Sequence, residues 1–199
     1  MYKLEVLKDV IRIPPDKFSE DLKKVAKDIL CEKYEGILDK ELGMFIAITN
    51  VMEVGMGKLI PGDGAAFHEV TFEALIFKPE MQEVLEGEVI EIVEFGAFVR
   101  FGPLDGLIHV SQITDDFITY DKNRGALIGK ETKRVLQTGD KVRARIVALS
   151  LDEEKIRESK IGLTMRQPGL GALKWLEEER QKATGVKEEI KKAKREKKE

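Results

Sequence analysis

Residues able to do chemistry concentrate in one short run. In Phe95-Gly96-Ala97-Phe98-Val99-Arg100, an extended backbone puts Ala97 and Val99 on one face and Phe98 and Arg100 on the other. An arginine beside an aromatic ring belongs in water, so the Phe98 ring is expected to face solvent. Phe95, at the preceding turn where Gly96 frees the backbone, and His109 on a following segment can join it as a platform of flat rings. Rings of this kind stack on unpaired bases, at about 1–3 kcal/mol per base. The competing reading buries Phe95 and Phe98 in a core. Lys141, Arg143 and Arg145 alternate with Val142, Ala144 and Ile146, so three cations project from one face. They either track phosphates or form a solvated outer surface.

Other superficial matches fail on spacing. Gly55-Met56-Gly57-Lys58 lacks the GxxxxGK[ST] interval, and Leu59 stands where a magnesium-binding hydroxyl is required. Asp121-Lys122-Asn123 opens like a calcium loop, but Gly125 takes a ligand position and Thr132 the place of the bidentate glutamate, so it reads as a turn. Ser111 sits near His109 without a nucleophile elbow or an orienting acid. Asp115-Asp116 reads as a solvated loop. No catalytic residue, metal site or cofactor is expected.

The elements that must position these residues fall into two groups. Tyr2–Ile13 alternates Tyr2, Leu4 and Val6 against Lys3 and Glu5 and predicts a half-buried strand, ended by Pro14-Pro15. Phe18, Leu22, Val25, Ile29 and Leu30 predict an amphipathic helix over Asp16–Tyr34, with Gly36 as its cap. Met44–Val54 and Val70–Phe77 predict strands, with a short strand and the exposed turn Pro61-Gly62-Asp63-Gly64 between them. The pattern then resets near Pro79–Gln82. Glu88–Val93, Ala97–Phe101, Gly106–His109, Lys141–Ser150 and Lys160–Met165 are five short strands, the number in a Greek-key OB barrel. Ser111–Gly139 is too long for a simple loop and predicts a small extra hairpin over Ala126–Ile128 and Lys133–Leu136. Leu170, Leu173, Trp175 and Leu176 predict a helix docked on the barrel, running into a charged tail.

The expected fold class is therefore α+β: a small N-terminal unit over residues 1–80, an OB barrel over 81–166, and a C-terminal helix and tail over 167–199. Composition agrees with two compact units: 199 residues, 42% hydrophobic and 36% charged. One cysteine, Cys31, and two histidines, His68 and His109, exclude an internal disulfide and a structural zinc site. The start has no signal-like pattern and no apolar run approaches 18 residues, which predicts a soluble cytoplasmic protein with no membrane segment. The net charge of −3 hides an asymmetry. From Arg180 onward nine basic residues face four acidic ones, a surplus of five, so the remainder carries −8. An acidic body excludes a dedicated duplex-DNA binder.

Phe95-Gly96-Ala97-Phe98-Val99 followed by Gly106-Leu107-Ile108-His109-Val110-Ser111 resembles the S1 RNA-binding domain, an OB fold. That resemblance implies RNA contact by Phe95, Phe98 and His109, helped by Arg100 and the cations Lys141, Arg143 and Arg145. It also implies an Asp and an Arg in the loop before the last strand, roles that fall here on Asp152 and Arg157, although this loop is longer than the usual pattern. Beyond the barrel, Pro14-Pro15, Lys33-Tyr34-Glu35-Gly36, Pro61-Gly62-Asp63-Gly64, Asp115-Asp116 and Leu163-Thr-Met-Arg-Gln-Pro168 resemble the E-prime stalk component of archaeal RNA polymerases, counterpart of the seventh subunit of eukaryotic RNA polymerase II. This second resemblance implies a noncatalytic polymerase component that forms a heterodimer with a small helical stalk partner, the polymerase's F component. It would dock on the polymerase core near the clamp through an N-terminal tip and bind nascent single-stranded RNA. The Gly62-Asp63-Gly64 turn then becomes either the docking wedge or an ordinary tight turn. The alternative function is a free-standing S1 factor of translation or RNA decay.

Overall fold

The computed structural model describes residues 1–122, 124–151 and 160–182. By internal contacts the chain divides at Glu80/Met81 into two compact units.

The first unit is an antiparallel sheet backed by one helix. Strands β1 (Tyr2–Ile13), β2 (Leu38–Asp39), β3 (Gly43–Val54), β4 (Lys58–Leu59) and β5 (Ala66–Phe77) take the order β1-β5-β3-β2, with β4 pairing β5. β1 runs the full length of β5, Tyr2 opposite Phe77 and Ile13 opposite Ala66. Helix α1 (Leu22–Tyr34) lays Val25, Ala26 and Leu30 on Ile11, Ile13, Phe45, Ile48, Val70 and Phe72. It starts later than Asp16 because Pro15–Lys17 closes a separate 3-10 turn and the Asp21 carboxylate caps the helix, accepting from the Lys23 N–H at 2.9 Å. Phe18 and Leu22 consequently stay exposed. The buried set on β1 also differs from expectation. Ile11 and Ile13 face the core, whereas Tyr2, Leu4 and Val6 share the opposite, uncovered face. The period of two is right, but α1 covers only the other side. α1 is tied to β1 by Asp9, which accepts from Lys33 Nζ at 2.5 Å and from the Tyr34 hydroxyl at 2.8 Å.

The second unit is the expected five-stranded barrel with additions. Strands β6 (Val84–Val93), β7 (Gly96–Phe101), β8 (Leu104–His109), β12 (Lys141–Ser150) and β13 (Lys160–Thr164) follow the order β13-β8-β7-β6-β12, and β12 pairs back with β13 to close the ring. Only the β8–β13 pairing is parallel among these. Val89, Ala97, Val99, Phe101, Ile108, Val142, Ala144, Ile146 and Leu163 fill the interior, the inward set of each alternation. The long connection carries three strands rather than a hairpin: β9 (Ile118–Asp121), β10 (Ala126–Gly129) and β11 (Val135–Gln137), in the order β11-β10-β9. A short β14 (Gly171–Ala172) pairs with β12 and delays helix α2, which occupies 173–182 of the described residues. Trp175 and Leu176 of α2 are buried. The Arg134 guanidinium lies over the Trp175 ring at 5.5 Å and pairs with Glu179, fastening the extra strands to α2.

Candidate nucleic-acid interface

β7 and β8 bring the rings together. Gly96 opposes His109, and a side chain at Gly96 would run into the Ile108 carbonyl oxygen, so only glycine allows the two strands to close here. The Val110 N–H donates to the Phe95 carbonyl at 2.9 Å, pinning the Phe95 turn beside His109. Phe95 is 51% exposed. Its ring meets Phe98 edge-to-face, with centroids 6.3 Å apart at 84°. Phe98 is half-buried while its neighbours Ala97 and Val99 are sealed inside, so both phenylalanines belong to the outer surface. His109 is exposed and caps a 3-10 turn over Val110–Gln112, accepting the Ser111 N–H at Nδ1, 3.3 Å away. A neutral ring accepting at Nδ1 carries its proton on Nε2, which makes Nε2 a donor.

The basic residues are more engaged than the sequence suggests. Arg100 makes a two-point contact with Asp105 (Nε–Oδ1 2.9 Å, Nη2–Oδ2 3.3 Å), and that carboxylate strengthens its hold on the proton. Arg143 pairs with Glu86 through Nε and Nη2, at 2.9 and 2.7 Å. Lys141 is exposed opposite Glu88, and Arg145 is half-buried with its Nε unpartnered. All three lie on the outer face of β12, because Val142, Ala144 and Ile146 point inward. β6, with Glu86 and Glu88, separates them from the rings on β7 and β8. The structure thus gathers Phe95, Phe98 and His109 and keeps Lys141, Arg143 and Arg145 apart from them. Asp152 and Arg157 lie outside the described residues.

In the first unit, Gly62 stands at the tip of its loop with φ +92° and open space where a side chain would project. Asp63 turns inward, accepting from Arg12 Nε at 3.0 Å, Nη2 at 2.8 Å and the Ala65 N–H at 3.1 Å. The Arg12 contact, with the Ala65 N–H, holds its carboxyl below the usual range. Gly64 packs near Pro15. Apolar residues flank the tip without cover: Met56 is 89% exposed, Leu59 72%, and Ile60 is exposed as well. These three carry no signal in the sequence, because isolated apolar residues in a glycine-rich loop have no period. His68 anchors the loop's base, its Nδ1 2.9 Å from the Gly55 carbonyl oxygen.

Among the described residues, no group of three His, Cys, Asp or Glu could hold a metal ion, and no helix is long and apolar enough to cross a membrane. A closed barrel with two phenylalanine rings and a histidine on its outer face is an OB-type module that offers flat surfaces of the kind on which unpaired bases stack. Comparison with known proteins places that module. Residues 78–160 match the family model of the S1 RNA binding domain, and residues 8–64 match the SHS2 domain found in the N terminus of Rpb7p/Rpc25p/MJ0397. The chain is 46% identical over 176 residues to DNA-directed RNA polymerase subunit Rpo7 of Saccharolobus shibatae, covering 88% of this chain and 97% of the relative. It is 42% identical over 184 residues to the Rpo7 subunit of Sulfolobus acidocaldarius, covering 92% and 100%. RNA polymerase III subunit RPC8 of Saccharomyces cerevisiae is 30% identical over 150 residues, covering 73% and 71%.

The chain belongs to the Rpo7 family of DNA-directed RNA polymerase subunits, noncatalytic members of that complex.

Proposed function

We propose that this protein pairs with the small helical F component of the stalk, docks near the clamp of a cytoplasmic polymerase through the loop around Gly62, and binds nascent single-stranded RNA on the barrel. The observation that carries the reading is the edge-to-face pair of exposed Phe95 and half-buried Phe98 on the outer face beside His109. A weak surface suffices, because tethering at the enzyme raises the effective transcript concentration to about the mM range. Docking is supported by the uncovered Met56, Leu59 and Ile60, and pairing by the uncovered face of β1 with Tyr2, Leu4, Val6 and Val10.

Two measurements test it. Affinity purification from the native cell recovers the large polymerase subunits and a small helical companion; recovery of the chain without them overturns the docking. Phe98→Ala weakens RNA binding by about 1–3 kcal/mol with the barrel's melting temperature retained. An equal loss of thermal stability instead assigns Phe98 to packing and removes the carrying observation.

A further inference from the structure

Phe117 is 75% exposed, the highest value among the exposed aromatic side chains. It does not sit on a loose loop. The Lys130 N–H donates to the Phe117 carbonyl at 2.8 Å, continuing the β9–β10 ladder by one pair beyond Ile118 and Gly129. Immediately before it, the Asp116 carboxylate accepts the Thr132 N–H at 2.9 Å, the Thr132 hydroxyl at 2.9 Å and the Glu131 N–H at 3.1 Å. Those donors, the Thr132 N–H first, hold its carboxyl below the usual range, so Asp116 clamps the turn as a carboxylate. The structure therefore lifts an aromatic ring into water and fixes its backbone on both sides. The Lys130 ammonium stands 5.0 Å from the ring centroid, and no carboxylate is paired with it among the described residues.

We propose that Phe117 and Lys130 form a second base-stacking subsite for single-stranded RNA, extending the surface made by Phe95, Phe98 and His109; the proposal rests on that surface being the RNA site. Two observations select RNA over a protein partner. The first is charge: an aromatic ring beside an ammonium that no carboxylate pairs with among the described residues offers a base its face and a phosphate its counter-ion. The second is continuity. His109 Nδ1 lies 2.8 Å from Ser111 Oγ, Arg166 donates to the Ser111 carbonyl at 3.4 Å and to Asp115 Oδ1 from Nε at 2.7 Å, and Asp115 adjoins the Asp116 clamp under Phe117. Hydrogen bonds thus link the barrel histidine to Asp115, two residues before Phe117 in the chain.

The test uses the full chain and uridine oligonucleotides of about 6 and about 16 nucleotides, spanning the site sizes of OB-fold proteins. Phe117→Ala lowers affinity for the longer RNA by about 5- to 150-fold, the equivalent of one lost stack, and the loss is larger than for the shorter RNA. Phe117→Trp retains affinity, and its emission is quenched on RNA addition. Lys130→Ala makes the salt dependence of binding shallower by about 0.7 in log–log slope, one phosphate contact. If Phe117→Ala and Phe117→Trp leave long-RNA affinity and emission unaltered while Phe98→Ala weakens binding, the subsite is wrong and the barrel reading survives. If Phe98→Ala is silent while Phe117→Ala is not, the barrel reading fails and the proposed extension of it is overturned, Phe117 being then a separate RNA contact. Equal losses on both RNA lengths, accompanied by a lower melting temperature, assign Phe117 to structure and overturn the proposal.

Discussion

Single side chains here act through what neutralises or uncovers them. Phe95 and Phe98 meet edge to face with Phe95 exposed and Phe98 half-buried, so a base can stack on a preformed surface with little ordering of the protein. Asp9 shows the same dependence on partners within the first unit. Burial pushes its carboxyl up, but hydrogen bonds from Lys33, Tyr34 and the Val10 backbone together outweigh that and hold it below the ordinary value. A carboxyl with a lowered folded-state pKa binds fewer protons folded than unfolded. Its stabilising contribution is therefore complete above the unfolded pKa, about 3.9, and disappears as pH falls through the folded value. Denaturant midpoints measured from pH 7 down to pH 3 are expected to decline, and Asp9→Asn to flatten that decline. Parallel curves for the two proteins refute this role of Asp9.

At the scale of elements, the tip loop is held by an ion pair rather than by packing. Arg12 of β1 grips Asp63 at two points, Gly62 turns the chain at positive φ, and the apolar flank stays in water. Because the pair stands in water, Arg12→Ala should leave the stability of the unit nearly unchanged. Losing the latch leaves the loop to be ordered on binding, so the same variant should lower affinity for the polymerase core, read as reduced recovery in reconstitution. Undiminished recovery at matched concentration removes the latch from docking. β6 begins at Val84, earlier than its apolar alternation indicates, because Glu86 and Glu88 are held against β12, Glu86 by Arg143. β9 is not legible in the sequence because four residues are too few to show a period.

For the molecule as a whole, charge placement decides how RNA binding responds to salt. The outer cations on β7 and β12 alternate with carboxylates, Arg100 with Asp105 and Arg143 with Glu86, so few remain for phosphates. Log affinity against log salt is expected to fall with a slope shallower than about −2, at roughly 0.7 per phosphate contact on a single strand. Fluorescence titrations between low and physiological salt measure it. A slope near −4 would mean that these pairs open and the cations, not the rings, carry the binding.

The α+β class, the five barrel strands, the two-unit order and the family were legible from residue order, because strand periodicity and the Phe-Gly-Ala-Phe-Val and Gly-Leu-Ile-His-Val-Ser spacings lie in neighbouring residues. Residue order also identified Phe95, Phe98 and His109 as one group, since a hairpin joins the segments that carry them. Tertiary structure alone decided which charges are available and which face of β1 is bare. Arg143 meets Glu86 across 57 residues and Arg12 meets Asp63 across 51, contacts set by strand register between distant segments. The lifted ring of Phe117 depends likewise on Asp116 reaching Thr132 sixteen residues on, a local shape that no periodicity encodes.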